Sequence, residues 1–281
     1  MKKDNLINKL FNFENKIVVI TGGAGYLCSE MALNFLKLGS FVYILDKNVN
    51  KIDKDKYINF KNKVYFKKTD LTNKNQINNS LSDILKKSKK VDILINGAGS
   101  NSPKNFFEIT EKEWNFVINS QISSTFLCCQ IFGKQMIKQK KGNIINISSA
   151  SAGPPLSKAF AYSVAKSGIK NLTQNLAREW GTKGVRVNAL RPGFLPTEWS
   201  MKNFIDKKRK KQILQHTPMN RFGNPQELIT AVLFICSDKS TFLTGSEIAV
   251  DPPDPVRPEI AFDPDRDGLV DMRFAIGLAA P

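Results

Sequence analysis

The chain is poor in histidine and cysteine, and it has no long apolar run. Its one histidine, His216, stands in a turn segment just ahead of Pro218 and reads as structural. The four cysteines, Cys28, Cys128, Cys129 and Cys236, lack metal-ligand spacing, so no metal site is expected. Cys128 and Cys129 are adjacent, which disfavours a disulfide between them, and a reducing cytoplasm is the expected compartment. No stretch approaches the length of a membrane span. The opening MKKDNLINKLFNFENK is charged throughout and has no apolar signal core. What the chain has in excess is positive charge, a formal +17. Such a balance can mark a nucleic-acid binder. Here the lysines are scattered among asparagines and isoleucines, as in a genome biased toward A and T, with no aromatic-interleaved basic stripe. The charge therefore reads as compositional drift, and neither a nucleic-acid nor a membrane partner is expected.

A chain of 281 residues can bury one large α/β core. KIVVITG at 16–22 is a short β-branched run ending in glycine, as a buried parallel strand should be. The residues that follow carry apolar positions at helical spacing until Gly39 stops them. A glycine-rich turn between strand and helix brings backbone N–H groups and a helix N-terminus against a phosphate. FVYILD gives a second strand closing on Asp46, an acid placed to accept hydrogen bonds from a ribose diol and to repel a 2′-phosphate. KVYFKKTDLT gives a third, with Asp70 and Leu71 at its end, and VDILINGAG a fourth, running into Asn96, Gly97 and Ala98. Residues 108–136 read as one long helical segment, GNIINISS as a fifth strand ending at Ser149, and GVRVNALRPG as a sixth with Pro192 and Gly193 at its end. This alternation predicts a Rossmann-type doubly wound parallel sheet of about seven strands flanked by helices, with ligands bound at the strands' carboxyl ends.

The stretch from Ser148 to Lys166 carries the chemistry. Tyr162 follows Ser149 by thirteen residues and precedes Lys166 by four. On a helix, that last spacing sets phenol and ammonium on one face. A nearby positive charge favours the phenolate, so Tyr162 is expected to have a lowered pKa and to exchange a proton with an alcohol or ketone oxygen. The Ser149 hydroxyl could polarise the same oxygen.

With TGGAGYLC at 21–28, Asp46, DLT at 70–72, NGAG at 96–99, Ser149, Tyr162, Lys166 and RPGFLPT at 191–197, the chain resembles the short-chain dehydrogenase/reductase family over about residues 14–251. VITGGAGYLCSEMA, NGAGSNSPK and HTPMNRFGNPQEL further resemble its fructuronate (mannonate) and gluconate oxidoreductase branch. The resemblance implies a nicotinamide cofactor, which Asp46 marks as NAD(H) rather than NADP, reversible hydride transfer to a carbonyl, and pairing of subunits into a dimer or tetramer through the helices of Gln121 and Tyr162. By the family's pattern Tyr162 is the acid/base, Lys166 holds the nicotinamide ribose, and Ser149 positions the substrate. The remaining cofactor contacts would be Thr21, Gly22, Gly23, Gly25, Tyr26, Leu27, Asp46, Asp70, Leu71, Asn96, Gly97, Ala98, Pro192, Gly193 and Thr197. Residues 194–217 would form the substrate lid.

Several residues depart from the pattern or need weighing. Tyr26 and Cys28 stand at the second and third glycine positions of the family's turn, where bulk could shift a pyrophosphate. Gln121 takes the place of the family's fourth catalytic residue, an asparagine, while Asn119 lies two residues earlier. Lys104 is a candidate for meeting a substrate carboxylate; KKRKK at 207–211 reads as a solvated helix face, Arg221 as a brace for its turn, and Trp114 and Trp180 as core. From Pro252 onward the chain has no lysine and six of its thirteen prolines, so 1–251 reads as the dehydrogenase domain and 252–281 as a foreign tail. DPDRDG at 263–268 resembles half of a calcium loop, but Phe274 stands where a bidentate glutamate is wanted. The expected function is an NAD-dependent oxidoreductase interconverting a keto group and a secondary alcohol on a sugar acid or related polyol. A 3-oxoacyl carrier-protein reductase, a surface-sugar-modifying reductase and a non-catalytic nucleotide-binding module are the alternatives.

Overall fold

A computed structural model describes residues 10–153, 158–203, 205–215 and 217–252. His216, the tail from residue 253 and its DPDRDG segment lie outside them. The described residues form a parallel sheet of order β3-β2-β1-β4-β5-β6-β7, the expected doubly wound arrangement. Its strands are β1 Ile17–Thr21, β2 Phe41–Asp46, β3 Val64–Lys68, β4 Ile93–Asn96, β5 Gly142–Ile147, β6 Val185–Pro192 and β7 Glu247–Val250. The helices are α1 Tyr26–Lys37, α2 Lys74–Ser88, α3 Glu111–Ile118, α4 Ser124–Lys138, α5 Phe160–Trp180, α6 Glu198–Asn203, α7 Lys207–Gln215 and α8 Gln226–Cys236.

Strand alternation divides the core into two layers. Val18 and Ile20 of β1 pack with Met31 and Phe35 of α1 and with Val232 and Ile235 of α8. Ile17 and Val19 face the opposite way, against Ile77 of α2, Phe132 and Met136 of α4 and Trp180 of α5. Both sheet faces are therefore covered, which is why the strands read as continuous apolar runs. In α5 the buried Ala161, Ala165, Ile169, Thr173, Ala177 and Trp180 recur at helical spacing, and the small residues let the helix lie close to the sheet. The Trp180 ring fills the space a Cβ on Gly133 would take, its nearest carbon 2.5 Å from that position. Trp180 is thus core as expected, whereas Trp114 is only half-buried because α3 lies at the surface.

The long helical segment expected over 108–136 is divided. Thr110 caps α3, accepting a hydrogen bond from the Glu113 N–H, and the Glu113 carboxylate accepts one from the Thr110 N–H. Between α3 and α4 the backbone opens into a π-turn over Asn119–Ser123. This is a local widening of the kind that collects at functional sites. Its irregular carbonyls are satisfied by side chains: Thr125 Oγ1 donates to the Gln121 carbonyl at 2.8 Å and Ser124 Oγ to the Ser120 carbonyl at 2.7 Å. The turn buries the Gln121 side chain while Asn119 stays exposed.

Candidate active site

The sheet order reverses between β1 and β4, and the chain separates there into a crevice. Thr21, the last residue of β1, holds the two loops together. Its Oγ1 accepts hydrogen bonds from the N–H groups of Gly97 at 3.1 Å and Ala98 at 3.3 Å. Gly22 next in line has φ +71°, and a Cβ there would lie 2.6 Å from the Ala98 Cα, so only glycine fits. Gly25 precedes α1 in an extended conformation and supplies no side-chain cap, which leaves the first-turn N–H groups of α1 beside the cavity.

The substitutions at the glycine turn are absorbed by their surroundings. Tyr26 occupies the first helical position, where a side chain costs nothing conformationally, and its ring is exposed. Cys28 is buried, and its Sγ takes the room left by the missing side chain of Gly97: a Cβ there would come within 2.2 Å of the sulfur. Burial pushes the Cys28 thiol up to about 12, so it is an inert packing group. The other three cysteines are likewise free and buried.

A cavity of about 1170 Å³ runs from this turn to the carboxyl ends of β5 and β6. Ser149, Tyr162, Lys166 and Gln121 line it, together with Phe194, Leu195, Thr197, Ser200 and Ile205. The latter group belongs to the segment expected as a lid. Tyr162 and Ser149 line this part of the cavity together, and Ser149 acts to lower the Tyr162 pKa. Ser149 also accepts from the Ser151 N–H at 3.2 Å and from Ser151 Oγ at 3.1 Å. Lys166 is 5% exposed and donates through Nζ to the Ile147 carbonyl at 2.6 Å.

The expected lowering of the Tyr162 pKa by Lys166 is not what the geometry gives. The ammonium is drawn to the strand-end carbonyl and sits 5.4 Å from the centroid of the Tyr162 ring. Burial raises Tyr162 above the ordinary tyrosine value, and Ser149 opposes that only in part. Burial also depresses Lys166 to about 8. In this ligand-free state Tyr162 is a protonated donor at neutral pH.

The structure brings Gly22, Gly23, Gly25, Tyr26, Leu27, Gly97, Gln121, Ser149, Tyr162, Lys166, Gly193 and Thr197 to one cavity. Others among the expected residues support it from outside. Asp46 accepts from the N–H groups of Ala24 at 3.0 Å and Asn48 at 2.7 Å, tying the end of β2 to the glycine turn. Asn96 is buried and donates to Asn146 Oδ1 at 2.9 Å. Ala98 backs Gly22, and Pro192 ends β6. Asp70 and Leu71 lie further off: Asp70 is engaged by Thr72 and by Lys47 at 3.0 Å, and Leu71 is buried in the core. Lys104 is not among the cavity's walls; its ammonium pairs with Glu113, in the first turn of α3, at 2.8 Å.

Gln121 keeps one amide bond, Nε2 to the Ser100 carbonyl at 3.0 Å, while its Oε1 is buried without a partner against Gly99. Arg221 braces its turn as expected, through the Phe222 carbonyl and a two-pronged pair with Glu227. Lys207, Lys208, Lys210 and Lys211 are exposed on α7. Sequence reasoning missed the cavity wall made by Lys51, Ile52, Asp53, Lys56 and Tyr57, whose polar spacing carries no periodic signal. It also missed Phe116, another wall residue, and Ser151, which donates to Ser149 from outside the cavity wall. No group of metal-ligating side chains and no helix long and apolar enough to cross a membrane occurs among the described residues.

The family described as enoyl-(acyl carrier protein) reductase matches residues 27–252. The chain is a short-chain dehydrogenase/reductase. An uncharacterised oxidoreductase from Haemophilus influenzae is 37% identical over 267 residues, covering 85% of this chain and 93% of that protein. An NAD-dependent glycerol dehydrogenase from Listeria innocua is 32% identical, covering 87% and 95%. A Haemophilus influenza structure with bound NAD, provisionally described as a D-mannonate oxidoreductase, superposes with a TM-score of 0.80 at 36% identity, covering 86% and 95%. Membership makes the chain an oxidoreductase of a family that uses nicotinamide dinucleotides and small-molecule substrates.

The depressed Lys166 has a measurable consequence. Between pH 8 and 10.5 the unfolded chain holds a proton that folded Lys166 has released, so this residue's contribution to stability rises with pH across that window. The stability difference between wild type and Lys166→Met, from urea unfolding, should be flat below pH 8 and grow by about 3 kcal/mol toward pH 10.5.

Proposed function

We propose that the protein is an NAD-dependent oxidoreductase interconverting a keto group and a secondary alcohol on a sugar acid or related polyol. The observation that carries the reading is the continuity of one cavity, with the glycine turn at one end and Ser149, Tyr162 and Lys166 at the other. A dinucleotide fits the residues present. The Gly22 conformation, the close approach of Gly22 to Ala98 and the uncapped start of α1 leave room and donors for a pyrophosphate. Asp46 still has acceptor capacity for a ribose diol, since a carboxylate offers about four lone-pair sites. Its charge disfavours a 2′-phosphate, which supports NAD over NADP. Asn96 to Ala98, Lys166, Gly193 and Thr197 would hold the nicotinamide end.

When bound, the cofactor supplies or accepts the hydride. The chain's own residues handle the proton and the orientation. Tyr162, protonated at neutral pH, donates to the carbonyl oxygen during reduction and recovers the proton from the alcohol in reverse. Ser149 donates a hydrogen bond to the same oxygen and steadies its growing negative charge. Lys166, held by the Ile147 carbonyl, would anchor the ribose. Phe194, Leu195, Pro196 and Ile205 supply apolar wall that keeps water from the reacting atoms. The polyol-type substrate is supported by the relatives described as glycerol dehydrogenase and D-mannonate oxidoreductase. Four buried free cysteines accord with a reducing, cytoplasmic setting.

The test is oxidation of NADH and NADPH across a panel of keto sugar acids and keto polyols. Turnover with NADH exceeding that with NADPH is expected, with kcat lowered on the order of 10²–10⁴-fold in Tyr162→Phe. Binding of NADH without turnover on any member would favour a nucleotide-binding module instead. The same reading includes a dimer or tetramer, supported by exposed Phe116, Phe126, Phe160 and Val164 along α3, α4 and α5. Light scattering should give two or four times the 31.5 kDa chain mass, and a monomer would contradict it.

A further inference from the structure

The backbone that presents Ser149 is pinned on both sides. The Ser148 N–H donates to the Leu190 carbonyl at 2.8 Å, and Ser148 Oγ donates to Glu247 Oε1 at 2.7 Å. Glu247, itself largely buried, is balanced by Lys170 at 3.4 Å and Arg191 at 3.6 Å. The next turn, Ala150–Ala152, is tied to the catalytic helix by Ser167 Oγ, which donates to the Ala152 carbonyl at 3.1 Å. With the main chain held, the remaining freedom at Ser149 is the direction of its hydroxyl hydrogen.

A serine hydroxyl has two acceptor sites and one hydrogen. At Ser149 both acceptor sites are taken by one residue. The Ser151 N–H, which can only donate, lies 3.2 Å from Ser149 Oγ, and Ser151 Oγ lies 3.1 Å from the same atom. Ser151 is 1% exposed, so water does not compete for it. The Ser149 hydrogen is then left to face the cavity that Ser149 shares with Tyr162, whose pKa Ser149 lowers.

We infer that Ser151 is a positioning residue for the reaction, filling the acceptor side of the Ser149 hydroxyl and so directing its hydrogen toward Tyr162 and the reacting oxygen. Without Ser151 Oγ, the Ser149 hydroxyl gains a free acceptor site and can rotate, and it competes less as a donor to the phenolate. The titratable groups around Tyr162 are Lys166 on its own helix and, across the cavity on α1, Cys28, which interacts electrostatically with Lys166. Neither is touched by a change at Ser151. The inference rests on Tyr162 as the proton-bearing group, but its geometry belongs to the ligand-free protein.

The test is a tyrosinate absorbance titration of the ligand-free protein, subtracting the curve of Tyr162→Phe so that one of the five tyrosines is read. In Ser151→Ala the Tyr162 step should move to higher pH by about one unit, a tenfold change in proton affinity. Ser151→Thr, which keeps hydroxyl and N–H, should leave it in place. In a Ser149→Ala background, Ser151→Ala should produce no further shift. If Ser151→Ala fails to fold, Ser151→Cys, close in size with a weak donor, gives the same reading. A step that stays put in the folded variant, or that moves equally without Ser149, overturns the inference. Absence of turnover on every substrate would sink the proposed function and leave this result standing. Where turnover occurs, the rising limb of alcohol oxidation should shift upward with the titration.

Discussion

The arrangement depends on one constraint, the parting of β1 and β4 at the point where the parallel sheet changes winding direction. At that point two loops leave the sheet side by side, and the Thr21 hydroxyl ties them by accepting the N–H groups of Gly97 and Ala98. Gly22 can pass Ala98 only because neither backbone carries a side chain into the gap. The floor of the cavity, the exposed start of α1 and the path toward Tyr162 all follow from this junction. Changes elsewhere in the turn are tolerated as long as the total space is kept. Cys28 adds bulk where Gly97 removes it, so the volume between α1 and the β4 loop is conserved across two residues.

At the far end the governing term is desolvation. Lys166 is buried with a carbonyl for its partner and no carboxylate, which costs the charged form and brings its pKa near 8. Tyr162 responds to the same burial in the opposite sense and keeps its proton more firmly. A donor phenol beside an easily discharged lysine is suited to passing a proton in either direction once a substrate oxygen arrives. The serine turn beside them is held by Ser148 bonded to Glu247 and by Ser151 bonded to the Ser149 hydroxyl.

Much of this was legible in the residues themselves. β-branched runs separated by helical periods foretold the parallel sheet, because strands covered on both faces must be apolar throughout. The Ser149, Tyr162 and Lys166 spacing survived translation into space because a helix and a strand end are rigid. What failed to show were features set by packing rather than pattern. The division of the 108–136 segment at Asn119–Ser123 depends on hydroxyls of Ser124 and Thr125 meeting displaced carbonyls. The pairing of Lys104 with Glu113 depends on a loop folding back on a helix start, and the wall near Tyr57 on short helical turns without an apolar period. The Tyr162 pKa rises where a fall was expected, because spacing reveals that a lysine is near but not which carbonyl it prefers or how deeply the phenol is buried.

The central claim, that the β1–β4 junction still forms a dinucleotide site despite Tyr26 and Cys28, is tested most directly by NADH binding. Titration followed by tryptophan-to-NADH energy transfer should give saturable binding to wild type. Binding should weaken at least tenfold in folded Gly22→Ala, whose Cβ would meet Ala98 at 2.6 Å. A folded wild type that binds no NADH, or a Gly22→Ala variant that binds it as tightly, would contradict the account.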